Sequence, residues 1–223
     1  MEICEGIIDS GLQLRWAIRD RVNKADAEMY ALLRRAGCYR IHFGVESGSP
    51  AILAASGKGI TLDQAEHALR LARRAGFTTM AYYMFGFLDE TCEDALKTID
   101  FSIRAKSDYA TFAVLIPYPG TALYDTALTR GIIPTDFWAE YARRPTANFP
   151  IPHLVEQYMD RRTLINLKDK ALRSYYFRPG RMVTEFVRLR SWKEFRQKAG
   201  MALNIVTDSL RSLTSGSPRP THA

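Results

Sequence analysis

The sequence predicts an α/β fold, a partial parallel (β/α) barrel of about four strands over residues 1–130. An irregular segment and helical C-terminal extension follow over 131–213, and a disordered tail over 214–223. Three observations lead there. Apolar periodicity in the first half alternates between two and 3.6 residues, the pattern of strands joined by helical crossovers. After about residue 131 the rhythm gives way to Pro134, Pro145, Pro150 and Pro152 mixed with Phe137, Trp138, Tyr141 and Phe149, and then to two amphipathic stretches. At 223 residues, with 47% hydrophobic and 25% charged content, the chain can fill one substantial core but is shorter than the roughly 250 residues of an eight-stranded barrel.

Taken in order, residues 2–10 read as a helix, 13–18 as a strand, 26–36 as a helix with Met29, Leu32 and Ala36 on one face, and 39–45 as a strand. A helix over 62–76 opens on Thr61-x-x-Gln64, which can form a reciprocal cap, buries Leu62, Ala65, Leu69 and Ala72, and stops at Gly76. A strand over 78–85, a helix over 91–106 with Leu96, Ile99 and Ile103 inward, and a strand over 109–116 complete the alternation. The aromatic residues in the irregular segment argue against disorder and for a stretch folded over something. Asp160 caps a helix running to about Phe177, Pro179 breaks it, and Ser191-x-x-Glu194 opens another to about Leu213.

Charge divides unevenly. From Arg161 onward fourteen Lys/Arg face four acidic residues, a surplus of ten within a chain whose formal charge is +7, so the first 160 residues are net negative. Peripheral contact of these basic helices with an anionic membrane surface is one expectation; no nucleic acid partner is expected. Cys4, Cys38 and Cys92 lie too far apart in sequence for a disulfide framework or a short metal-ligand motif, so no metal ligand is assigned and a reducing, cytoplasmic setting is expected. No run reaches the ~18 apolar residues of a membrane span, and the first residues lack the regions of a signal peptide.

In a parallel barrel the outer strand face meets helices, so polar residues of one parity point inward. Arg15, Ala17, Arg19 and Arg21 oppose Leu14, Trp16 and Ile18, and Arg40, His42, Gly44 and Glu46 oppose Ile41, Phe43 and Val45. Active sites of such barrels gather at the C-terminal strand ends. Those ends are Arg19 and Arg21, Glu46-Ser47-Gly48-Ser49, Gly86-Phe87-Leu88-Asp89-Glu90, and Pro117-Tyr118-Pro119-Gly120-Thr121. A carboxylate there can accept both hydroxyls of a ribose, a guanidinium can clamp a carboxylate, and a glycine lets a flat ring approach the backbone.

These strand ends, in this order, resemble the radical S-adenosylmethionine superfamily, especially members with a cobalamin-binding domain. Ala36-Gly37-Cys38 through Val45-Glu46-Ser47-Gly48-Ser49 looks like that family's fourth strand. Met84-Phe85-Gly86-Phe87-Leu88-Asp89-Glu90-Thr91 resembles its IGLPGET segment, with Leu88 and Asp89 in place of Pro-Gly and Glu90 in register. Leu115 to Tyr124 is similar to TPYPGTxLY, and Tyr175-Tyr176-Phe177-Arg178-Pro179 to the FYLRP segment of cobalamin-linked members. The resemblance implies a six-stranded barrel with S-adenosylmethionine and a 4Fe-4S cluster as cofactors, and brings in cobalamin as a further one. It assigns cofactor contacts to Glu46, Ser47, Gly86 and Glu90, to the backbone of Pro117 and Tyr118, and less directly to Arg19 and Arg21.

The family's CxxxCxxC cluster loop does not occur in these residues. By order of elements Met1 falls inside the helix after the second strand, so the expectation is a fragment of a methyltransferase or oxidative cyclase, inactive alone, acting in its parent on a small or lipid-like substrate and lacking the N-terminal part of the barrel. Two other readings stand beside it: a non-catalytic interaction or membrane-docking module on a half barrel, and a metal-free barrel enzyme using His42, Glu46 or Glu90.

Overall fold

The computed structural model describes residues 1–147, 152, 154–180, 182, 196, 200 and 207. The helix expected over 191–213 and the tail over 214–223 lie outside these, apart from the isolated positions. The chain forms two compact units, one of Met1–Met84 with Glu93–Ala113, the other of Phe85–Cys92 with Val114–Ala223.

In the first unit α1 (Glu2–Asp9) leads to β1 (Trp16–Asp20), α2 (Ala27–Arg35) and β2 (Cys38–Glu46). Then come α3 (Pro50–Ala55), α4 (Leu62–Arg74), β3 (Thr78–Phe85), α5 (Cys92–Ala105) and β4 (Tyr109–Val114). The four strands form one parallel sheet in the order β1-β2-β3-β4. Trp16 pairs with Cys38 and Asp20 with Phe43, and among the described residues β1 has no strand neighbour on its other side. The expected strand over 13–18 is therefore shifted to 16–20. Alternation alone fixes which residues share a face, while the ends of a strand are set by its partner, here β2.

The core lies on one sheet face. Ile41, Phe43, Val45, Ala81, Tyr83, Ala110 and Phe112 are all buried. They meet helix stripes of Tyr30 and Leu33, of Ala65, Ala68, Leu69 and Ala72, and of Ala95, Ile99 and Phe101. Small residues on α4 and α5 let those helices approach the sheet closely, which is why alanine serves there as well as leucine. Leu96, expected inward, is exposed; the buried stripe runs instead through Ala95, Thr98, Ile99 and Ser102. The α4 cap forms as expected: the Thr61 hydroxyl accepts from the Gln64 amide at 3.2 Å and the Gln64 side chain accepts from the Thr61 amide at 3.0 Å. Asp108 ties β3 to the turn before β4, accepting from the Thr79 amide at 2.8 Å and its hydroxyl at 2.9 Å.

The second unit carries α6 (Ala122–Thr129), α7 (Phe137–Arg143) and α8 (Arg161–Tyr176). Tyr124, Ala127 and Ile133 form one hydrophobic cluster with Leu88, Leu128, Ile132 and Trp138 packed against it, and Leu164, Leu167, Ala171 and Tyr175 of α8 are buried as well. The α8 start was legible: Asp160 accepts from the Thr163 amide at 2.8 Å. The stretch read as irregular contains α7, seven residues whose cap, Asp136, accepts from the Ala139 amide at 3.1 Å and from the Tyr124 hydroxyl at 2.5 Å.

Candidate functional site

The C-terminal end of β2 departs from regular strand geometry. The register with β3 slips between Gly44 and Glu46, and Glu46 adopts φ 73°, a left-handed conformation unfavourable for a residue with a side chain. Such strain persists only where surrounding contacts enforce it, and it gathers at functional positions. The enforcing contact is Lys58, from the loop between α3 and α4. Its ammonium donates to the Gly44 carbonyl at 2.8 Å and forms an ion pair with Glu46. Both side chains are partly accessible. A Cβ at position 44 would sit 2.5 Å from both Glu46 Oε1 and Lys58 Nζ, so the pair occupies the space that glycine leaves.

Lys58 is not among the residues that the sequence singles out. Its only signal was being the one Lys or Arg between Arg40 and Arg70, in a loop with no periodicity. Arg21 belongs to the same assembly: its Nη2 donates to the Lys58 carbonyl at 2.6 Å and its Nε to Asn23 at 3.3 Å. It fixes the Lys58 loop with the guanidinium that was expected to meet cofactor directly. Arg19 stands apart, exposed on the inner parity of β1.

Ser47 takes a different place from the expected one. Its hydroxyl is buried, 3.0 Å from the Thr98 hydroxyl, and accepts from the Ser49 amide at 3.1 Å. The Gly48 amide donates to Thr98 at 2.9 Å, and a Cβ on Gly48 would lie 2.6 Å from the Thr98 Cα and the Lys97 carbonyl. Ser47 and Gly48 thus fasten the loop after β2 onto α5.

In the second unit Gly86 has φ 92°, a conformation that glycine alone adopts without strain. The Glu90 carboxylate is buried and folds back on its own loop, accepting from the Gly86 amide at 2.5 Å and the Phe87 amide at 3.2 Å. That role is to shape the loop. Beside it, Asp89 receives a forked pair of bonds from Arg130 at 2.8 and 2.9 Å and exchanges two more with Gln157. These bonds, Arg130 foremost, hold the Asp89 carboxyl down at about 2. The Pro117 carbonyl accepts from the Trp138 indole at 2.8 Å, and the Tyr118 ring stacks on Trp138 at 5.2 Å.

Among the described residues no group of three or more His, Cys, Asp or Glu could hold a metal ion, and no helix is long and apolar enough to cross a membrane. Cys4 and Cys38 are buried, and burial raises the Cys38 thiol above its ordinary pKa; Cys92 is exposed.

Comparison with known proteins agrees with the fold. Residues 3–102 match the Radical SAM superfamily profile. An uncharacterized methyltransferase of Pyrococcus horikoshii is 34% identical over 179 residues, 80% of this chain and 38% of that protein. The anaerobic magnesium-protoporphyrin IX monomethyl ester cyclase of Cereibacter sphaeroides is 31% identical over 128 residues, 56% of this chain and 21% of that one. The chain thus spans well under half the length of these relatives. A radical S-adenosylmethionine methyltransferase from Kitasatospora setae, solved with cobalamin and a 4Fe-4S cluster bound, superposes with a TM-score of 0.53 at 22% identity. That match covers 59% of this chain and 28% of the other and reports on the fold. The sequence match places residues 3–102, on a parallel sheet backed by helices, in the radical SAM superfamily.

Proposed function

We propose that these 223 residues supply the S-adenosylmethionine-gripping part of a radical SAM methyltransferase or cyclase, and that the cluster is held by cysteines other than Cys4, Cys38 and Cys92. The observation that carries this reading is the Glu46–Lys58 pair standing over Gly44. The donor set suits the cofactor: Glu46 can accept the two ribose hydroxyls, Lys58 can pair with the cofactor's carboxylate, and Gly44 leaves the strand end open. Bound and reduced by its cluster, S-adenosylmethionine supplies a carbon-centred radical. This chain's own work is to orient that cofactor. Arg21 holds the Lys58 loop, and Ser47 with Thr98 holds the loop after β2. The two relatives' names support methyl transfer or ring closure as the reaction class, and the cobalamin in the Kitasatospora setae structure supports cobalamin as a second cofactor.

Calorimetric titration with S-adenosylmethionine tests the grip. Glu46→Gln and Lys58→Met should each weaken binding about tenfold, the effect of losing a charge-assisted bond. Unchanged affinity in both would sink the assignment. Anaerobic reconstitution with iron and sulfide tests the rest: the chain alone should neither hold four irons nor cleave the cofactor.

A further inference from the structure

Four residues below Glu46 on β2, roughly 13 Å along the strand, the inner sheet face carries a second polar set. Arg19 on β1 is the register partner of His42, and Arg40 precedes His42 by two residues on the same face. His42 Nδ1 lies 2.7 Å from the Tyr82 hydroxyl of β3, with the two rings tilted 33°. Burial, then the positive charges of Arg40 and Arg19, hold the imidazole below its ordinary pKa, so it is neutral at pH 7. With its proton on Nδ1 it donates to the Tyr82 oxygen and leaves the tyrosine O–H directed at a further acceptor.

The two guanidinia are not balanced. None of the ion pairs among the described residues includes Arg19 or Arg40. Arg40 lies 5.3 Å from the Tyr39 ring centroid and 5.4 Å from that of Tyr109, and its Nε is buried without a hydrogen-bond partner. Two cations on one face repel each other, and the half-buried Arg40 has given up part of its hydration, a cost that an incoming anion offsets.

We propose that Arg19, Arg40 and Tyr82, with His42 behind the tyrosine, bind an oxyanion, a carboxylate or phosphate group carried by the substrate. The word substrate rests on the radical SAM reading; the anion site itself does not. Spaced from the cofactor grip along β2, it holds the end of the molecule away from the reacting one and selects for acidic substrates.

Imidazole nitrogen–proton correlation spectra of the full chain test this. Inorganic phosphate and acetate are titrated separately at an ionic strength held constant with chloride. The His42 signals should shift saturably with one or both anions, the preferred anion identifying the oxyanion, while those of His67, exposed on α4, stay put. Arg19→Met and Arg40→Met should each weaken that binding about tenfold. Arg19 is exposed, so its variant keeps the fold even if the Arg40 variant does not. No saturable shift with either anion, or undiminished affinity in Arg19→Met, would overturn the proposal. The titration needs no S-adenosylmethionine. Glu46→Gln should leave it intact, so the anion site and the cofactor grip fail or stand separately.

Discussion

At Glu46 the backbone itself is held in a strained conformation. A left-handed glutamate costs of order 1 kcal/mol or more, and here the Lys58 ammonium and the open space over Gly44 offset that cost. Gly44→Ala should therefore act selectively. The new methyl meets only the flexible ends of Glu46 and Lys58, so the thermal midpoint should move by no more than a few degrees while S-adenosylmethionine affinity drops about tenfold. Calorimetry and circular dichroism on one sample separate the two effects. Legibility at this scale was mixed. Strand parity and position at a strand end both single out Glu46 in the sequence. Ser47 misled because one residue's advance along the chain reverses the side chain's direction, and the loop turns its hydroxyl into α5. Lys58 was invisible because nothing in sequence announces that a loop twelve residues on returns to the same carboxylate.

Elements whose signals are local were foreseen, and those that depend on packing were not. The α4 and α8 caps need only residues three apart, and both formed. Helix α3 is six residues long and α7 seven, too short for a periodic pattern to emerge, and each is stabilised chiefly by what it packs against. The Gly86–Glu90 loop shows the same division. Its glycine was legible; the clamp from Arg130, forty-one residues later, was not. That clamp has a pH signature. Asp89 titrates at about 2 in the folded chain against roughly 4 when unfolded, so its contribution is complete above about pH 4 and fades as pH falls toward 2. Arg130→Met should lower the urea midpoint slightly at pH 6, and the gap from the parent should narrow between pH 4 and pH 2. Because the pair is exposed, the gap should also shrink with added salt. A gap independent of pH would assign Arg130 a packing role instead.

For the whole molecule, the parallel sheet and its helical backing were legible because a face buried under helices must be apolar at every second residue, and Ile41, Phe43 and Val45 are. The division into two compact units was not, since the second unit takes Phe85–Cys92 from the middle of a strand–helix crossover. The outer edge of β1 has its own consequence. Its backbone groups face no strand among the described residues, and Leu12 and Leu14 just before it are exposed, as are Met1 and Ile3. Such an edge is a template for association. Purified alone, the chain should form concentration-dependent oligomers in light scattering, and Leu12→Lys with Leu14→Lys should return it toward monomer. A monomer at all concentrations would show the edge to be capped.

That same edge sets the terms on which a fifth strand could join. A strand tethered on the same polypeptide through a helix such as α1 arrives at an effective concentration near the millimolar range. A strand delivered by a separate chain must also offset the lost translational and rotational freedom of two bodies, of order 4 kcal/mol or more. Completion of the sheet in trans is thus a question of dose, while completion in cis is nearly independent of it.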